Sequence, residues 1–192
     1  EVEPLRGLRA RHGVFFITGN HDFYSGADAW ADRVRELGWH ALRNERVAIG
    51  DGDAHFDLAG VDDHHGALLG PGQGEDLARA LDGRETARPV VLLAHDPSTF
   101  RKASQYGVDL QLSGHTHGGQ VCLPFVGALT TNCDLDNARA KGLRRHPADS
   151  RDGDPGSAWL HVSAGVGTSP YARIRVACRP EATLLTLTAR PA

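Results

Sequence analysis

The sequence predicts a layered α/β domain. Apolar, β-branched or aromatic runs at 14–17, 90–93 and 108–112 have the length of buried or half-buried strands. Amphipathic stretches lie between them, and strand-like runs dominate toward the C-terminus. That alternation places helices outside a sheet or a pair of sheets.

The elements follow in order. Val14-Phe15-Phe16-Ile17 reads as the first strand. Ser25-Gly26-Ala27-Asp28 then offers an N-cap candidate for a helix carrying Trp30, Val34 and Leu37 on one face, with Gly38 as its stop. Short strands are expected at Arg46–Ile49 and Phe56–Val61 around a Gly50-Asp51-Gly52 turn. A second helix is expected over Glu75–Leu81, ending near Gly83. Val90–Leu93 is the next strand. Pro97 suits a first helical turn and Gly107 a stop, which predicts a helix over Pro97–Tyr106 before the strand Val108–Leu112. The polar, Arg- and Asp-rich run 134–156 is expected as a mobile loop. Ala158–Ser163 and Arg173–Thr188 read again as strands.

Bulk properties bound the function. With 192 residues, 40% of them hydrophobic, one globular domain covering 1–192 is expected. The formal charge of -3 supplies no basic stripe for a polyanion, so no nucleic-acid partner is indicated. No run of about eighteen apolar residues is present to span a bilayer. Three cysteines without a C-x-x-C spacing read as free, packed thiols. The chain starts at Glu1 and contains no Met, so further sequence is expected upstream. A membrane connection would come only through that missing segment, and the compartment, cytoplasmic or membrane-associated and exported, stays open.

The chemistry collects at the strand ends. The three apolar runs are followed by Gly19-Asn20-His21-Asp22, by His95-Asp96, and by Ser113-Gly114-His115-Thr116-His117. In layered α/β folds the carboxyl ends of neighbouring strands share one crevice, so these groups are expected to converge. Imidazole nitrogens with an amide oxygen suit Mn, Fe or Zn. The chain has no H-E-x-x-H, no P-loop and no G-x-S-x-G elbow.

GNHD at 19–22, His95 after a strand and GHTH at 114–117 resemble the third, fourth and fifth signature blocks of the calcineurin-like metallophosphoesterases. LRNE at 42–45, AGVDD at 59–63, LLAHDP at 92–97, GVDLQLSGHTHGGQ at 107–120 and CRPE at 178–181 resemble its bacterial branch of membrane-anchored or exported enzymes. The resemblance implies two β-sheets flanked by helices, with two divalent metal ions at the strand ends. Asn20, His95 and His115 resemble the ligands of one metal, and His117 a ligand of the other. His21 looks like the general acid for the leaving-group oxygen, with Asp22 as its orienting carboxylate. Two cations about 4 Å apart can clamp a phosphoryl group. The resemblance to the bacterial branch implies a phosphodiester or pyrophosphate-type substrate.

The family's D-x-H and G-D-x-x-D blocks, which precede GNHD, are absent from residues 1–18, so the fold is expected to be incomplete at the N-terminus. Asp53-Ala54-His55 and Asp63-His64-His65 spell D-x-H but follow GNHD. Asp62 and Asp63 are expected to order their loop. With His117 alone on one side, at most one ion would be well held. The 192-residue chain is therefore expected to hydrolyse bis-p-nitrophenyl phosphate poorly with Mn, while the complete protein does so readily. The alternative is a non-catalytic relative serving as a mononuclear metal-binding or interaction module. Trp30 and Trp39 read as packing groups, Arg173 and Arg175 as a solvated face, and His12, His40, His146 and His161 as surface or structural.

Overall fold

The computed structural model describes residues 2–51, 54–146, 157–169, 171 and 173–188. Strand β1 is Phe15–Phe16, followed by helices α1, Asn20–Ser25, and α2, Ala27–Glu36. Strands β2, His40–Ala41, β3, Glu45–Asp51, and β4, Ala54–Gly60, come next. Helix α3, Leu77–Leu81, leads to β5, Val90–Leu93. Helix α4, Phe100–Ala103, leads to β6, Leu110–Ser113. Strands β7, Cys122–Leu123, β8, Gly127–Ala128, β9, Gly142–His146, and β10, Ala158–Val162, complete the set.

The main sheet has six strands in the order β3-β4-β5-β6-β10-β9. Its centre, β4-β5-β6-β10, is parallel, while β3 and β9 add antiparallel edges. A parallel centre needs cover on both faces, which is why Val90-Val91-Leu92-Leu93 is apolar throughout. Val90 and Leu92 pack with Leu77, Leu81 and Val108 on the helical side. Val91 joins Leu42, Leu58 and Leu110 on the other, where Phe15, Ile17, Leu93 and Leu112 pack against them. Leu92 is fully buried, and burying one such side chain contributes about 1.5–3 kcal/mol.

Four local expectations need correction. Ser25 does not cap α2: it ends α1, donating its hydroxyl to the His21 carbonyl at 2.7 Å and accepting from Trp30 Nε1 at 3.0 Å. The cap position falls to Gly26, at φ 101°, a left-handed turn that favours glycine. The helix expected over Pro97–Tyr106 is a short α segment, α4, flanked by 3-10 turns at Pro97–Thr99 and Ser104–Tyr106. The polar run 134–156 is not all loop. It contains β9, an edge strand paired with β10, whose Arg145 guanidinium lies 4.5 Å over the Trp159 ring. Residues 147–156 of that run lie outside the described residues.

The segment Arg173–Thr188, expected as strand, pairs among the described residues only through a bridge from Val176 to Val121. Thr183 and Leu185 instead line a slot with Phe15, Ile17, His161 and Ser163. Leu185 meets that wall, while Ile174, Val176, Leu184 and Leu187 stay exposed. Gly52, part of the expected turn, also lies outside the described residues. No described helix is long and apolar enough to cross a membrane.

Candidate metal centre

The carboxyl ends of β1, β5 and β6 open into one cleft of about 290 Å³, lined by Asn20, His21, Asp22, His95, His115 and His117 together with Asn132 and Ser169. All six residues singled out from the sequence thus converge. Three of them form a tight set. His95 Nε2 stands 3.2 Å from Asn20 Oδ1 and 3.1 Å from His115 Nδ1. Ligand atoms about 2.1 Å from a shared ion stand at comparable separations. The donor set is one amide oxygen and two imidazoles, and it fits a single borderline divalent ion.

The local backbone explains the approach. Gly19 lets the His95 ring sit close, since a Cβ there would come 3.0 Å from three of its atoms. Asn20 follows as the first residue of α1, so the helix start delivers its side chain to that ring. His115 and His117 both have positive φ, 64° and 51°. The chain coils at the end of β6 and turns both rings into the cleft. Gly118 is equally constrained, since a Cβ there would meet Cys178 Sγ at 2.7 Å.

Burial sets the protonation of the site. His95 is pushed down to about 4, first by burial and then by the neighbouring His115 charge, so it is neutral at pH 7 with a lone pair to offer. Burial also lowers His117, although the Gly167 backbone hydrogen-bonded to its ring works the other way. Burial raises Asp22 above the usual carboxylate range, only partly offset by the bond from the Gly19 N–H. For Asp96, burial is outweighed by the Ser98 bonds, and the carboxylate stays ionised below its usual range.

A pH effect follows for the metal-free protein. An unfolded His titrates near 6.5 while folded His95 titrates near 4, so between those values the unfolded chain binds more protons. Stability is therefore full above about pH 6.5 and falls as the pH drops through that window. In chelator, unfolding free energy should fall by about 2 kcal/mol from pH 7 to pH 5, and His95→Gln should flatten the slope in urea titrations.

Two sequence expectations land differently. Asp22 does not hydrogen-bond the His21 ring: its Oδ2 accepts the Gly19 N–H at 2.7 Å and so fixes the start of α1. The His21 ring is exposed at the rim, edge-on to Tyr24 at 5.5 Å between centroids. Arg175 is no solvated face. Its Nη1 donates to the His117 carbonyl at 3.1 Å, and Nη2 to the Ala164 carbonyl at 2.7 Å and the Gly165 carbonyl at 3.1 Å. Carbonyls released by the Gly165–Gly167 turn find in this one guanidinium the donors they need.

Sequence reasoning missed Asn132. Its Nδ2 donates to the His115 carbonyl at 3.1 Å, and its own carbonyl lies 3.1 Å from His115 Nε2. Asn132 thereby orients the ring from a loop whose polar composition gave no periodic signal. Such a partner fixes both tautomer and direction in a metal-binding imidazole.

Comparisons with known proteins identify the family. The calcineurin-like phosphoesterase family matches residues 2–119. A bovine (Bos taurus) transmembrane protein with metallophosphoesterase domain is 42% identical over 141 residues, 68% of this chain and 32% of that protein. An uncharacterized metallophosphoesterase of Aquifex aeolicus is 36% identical over 167 residues, 87% of this chain and 58% of its own length. The uncharacterized metallophosphoesterase YkuE of Bacillus subtilis is 32% identical over 189 residues, covering 97% of this chain and 60% of itself. The chain thus spans between a third and three fifths of the length of these curated relatives. They are animal as well as bacterial, so they assign a family and not a branch. No solved structure gives a significant match. With the family match covering most of the chain and including the Asn20, His95 and His115 cleft, this chain belongs to the calcineurin-like phosphoesterase family.

Proposed function

We propose that this chain carries the catalytic face of a divalent-metal-dependent phosphoester hydrolase, acting on a phosphodiester or pyrophosphate-type substrate. The observation that supports it is the convergence of Asn20 Oδ1, His95 Nε2 and His115 Nδ1 in steps of 3.2 and 3.1 Å. Asn20, His95 and His115 would hold one ion, and His117 would contribute to a second. When bound, such ions supply Lewis acidity toward the phosphoryl oxygens and the attacking water.

The chain's own groups do the rest. His21, exposed at the rim, can reach a leaving-group oxygen and hand it a proton. Asp22 accepts the Gly19 N–H at 2.7 Å, and this cap keeps Asn20 and His21 in their places. Half-buried His117 presents a neutral ring to the phosphoryl side, steadied by Arg175 on its carbonyl.

The test is hydrolysis by the full-length protein with two substrate types. EDTA should abolish turnover of bis-p-nitrophenyl phosphate, and Mn2+ should restore it. His21→Ala should slow diesters with alkoxide leaving groups by about 10²–10⁴-fold, and p-nitrophenyl esters much less, because p-nitrophenolate leaves without a proton. Turnover that survives chelation, or an equal loss on both substrates, would remove the metal or the general-acid assignment respectively.

A further inference from the structure

The loop after β4 holds a group of side chains that the Asn20, His95 and His115 set does not use. Asp63, His64 and His65 each present a potential ligand atom, and these atoms all lie within 4.8 Å of one another. The Asp63 side chain is fully buried, yet its Oδ2 has no hydrogen-bond partner. A buried carboxylate oxygen with neither donor nor cation carries a large desolvation cost. Oδ1, by contrast, is engaged, accepting the His65 N–H at 2.9 Å and lying 2.7 Å from His65 Nδ1.

The surroundings favour a cation. Among the described residues, no Arg or Lys is ion-paired with Asp63 or with its neighbour Asp96. The neighbouring Asp62, which is paired, uses Arg43. Asp96 Oδ2 lies 4.0 Å from His64 Nδ1 and 3.5 Å from His115 Nε2. The two sets therefore meet across His115, whose Nδ1 faces His95 and whose Nε2 faces Asp96. Two carboxylates facing three imidazoles, without a basic side chain among them, make a donor set with net negative charge.

We infer that Asp63, His64 and His65 form a second site for a borderline divalent cation such as zinc, with Asp96 Oδ2 within reach as a fourth donor. One carboxylate with two imidazoles is a donor set that suits such an ion. The three ligand atoms already lie within 4.8 Å of one another, at the end of β4. The ion would neutralise Asp63 and lie beside the first metal set without sharing its Asn20 and His95 ligands.

Zinc titration of untagged, metal-stripped full-length protein tests this, with bound ions counted by mass spectrometry. His64→Ala is the informative variant, because the His64 side chain is 42% exposed and its loss should leave folding intact. It should bind one zinc fewer per chain than the parent, or bind that ion at least about 10-fold more weakly. Asp63→Asn should do the same, with thermal melts recording whether the fold is kept. An unchanged zinc count and affinity in His64→Ala would overturn the inference. His95→Ala separates the two sites: it should lose a different ion, and loss of zinc by His64→Ala but not by His95→Ala would sink the Asn20, His95 and His115 assignment while leaving this one standing.

Discussion

In the full-length protein, replacing His95 with alanine is expected to lower the proposed Mn-dependent phosphodiester hydrolysis by about three orders of magnitude, the scale seen when one well-placed group that stabilises developing charge is lost. His95 Nε2 is the shared neighbour of Asn20 Oδ1 and His115 Nδ1, so its removal breaks both short approaches at once. It also empties the space that Gly19 keeps clear. The kinetic signature should be a fall in kcat that excess Mn2+ only partly restores. Fold and site can be told apart here, since His95 follows β5 and belongs to none of the apolar clusters. Urea midpoints in chelator at pH 7 should therefore change little, while metal affinity falls sharply. If activity persists within tenfold of the parent, His95 holds no catalytic ion.

Much of that site was legible because its residues sit where strand periodicity stops. The apolar runs ending at Ile17, Leu93 and Leu112 locate three strand ends, and the histidines after them stand out against glycine. The role of Gly19 was not legible: that a Cβ there would come 3.0 Å from the His95 ring is visible only in three dimensions. Asn132 and Arg175 could not be read either. Each acts through backbone carbonyls contributed by distant loops, and carbonyls carry no sequence signal. The edge strand β9 was hidden by Arg144 and Arg145, charges that suit an exposed edge but mask its pattern. The C-terminal run misled in the opposite sense, since alternating Leu and Thr promised a ladder where, among the described residues of that run, Leu185 is half-buried while Leu184 and Leu187 are exposed. Asp63 was legible as a loop-ordering group, and it does accept the His65 N–H, but its unpartnered oxygen is visible only in three dimensions.

Arg43→Ala is expected to destabilise the fold by about 3–5 kcal/mol. Its guanidinium donates from Nε to Asp62 Oδ1 at 2.9 Å and from Nη2 to Asp62 Oδ2 at 2.9 Å, while Nη1 pairs with Asp28. The Asp62 side chain is only 6% exposed, so losing Arg43 leaves a buried carboxylate with Thr18 as its remaining side-chain donor, at 2.7 Å. The same Thr18 hydroxyl accepts the Asp63 N–H at 3.2 Å, so a disturbance at Asp62 passes to the loop that carries the second cation cluster. Asp62 holds Arg43 charged, its pKa raised chiefly by that hydrogen bond, so the pair does not escape by neutralising. Asp28→Ala supplies the contrast. Its side chain is 85% exposed, and an ion pair with that much solvent around it contributes less than about 1 kcal/mol. Melting of Arg43→Ala should drop by about 10 °C, and that of Asp28→Ala by no more than about 3 °C. The double change Arg43→Met with Asp62→Leu removes both charges together and should recover most of the loss, because apolar packing can replace a buried pair once neither ion is left behind. If Arg43→Ala melts with the parent, water reaches Asp62 and the pair contributes no more than an exposed one.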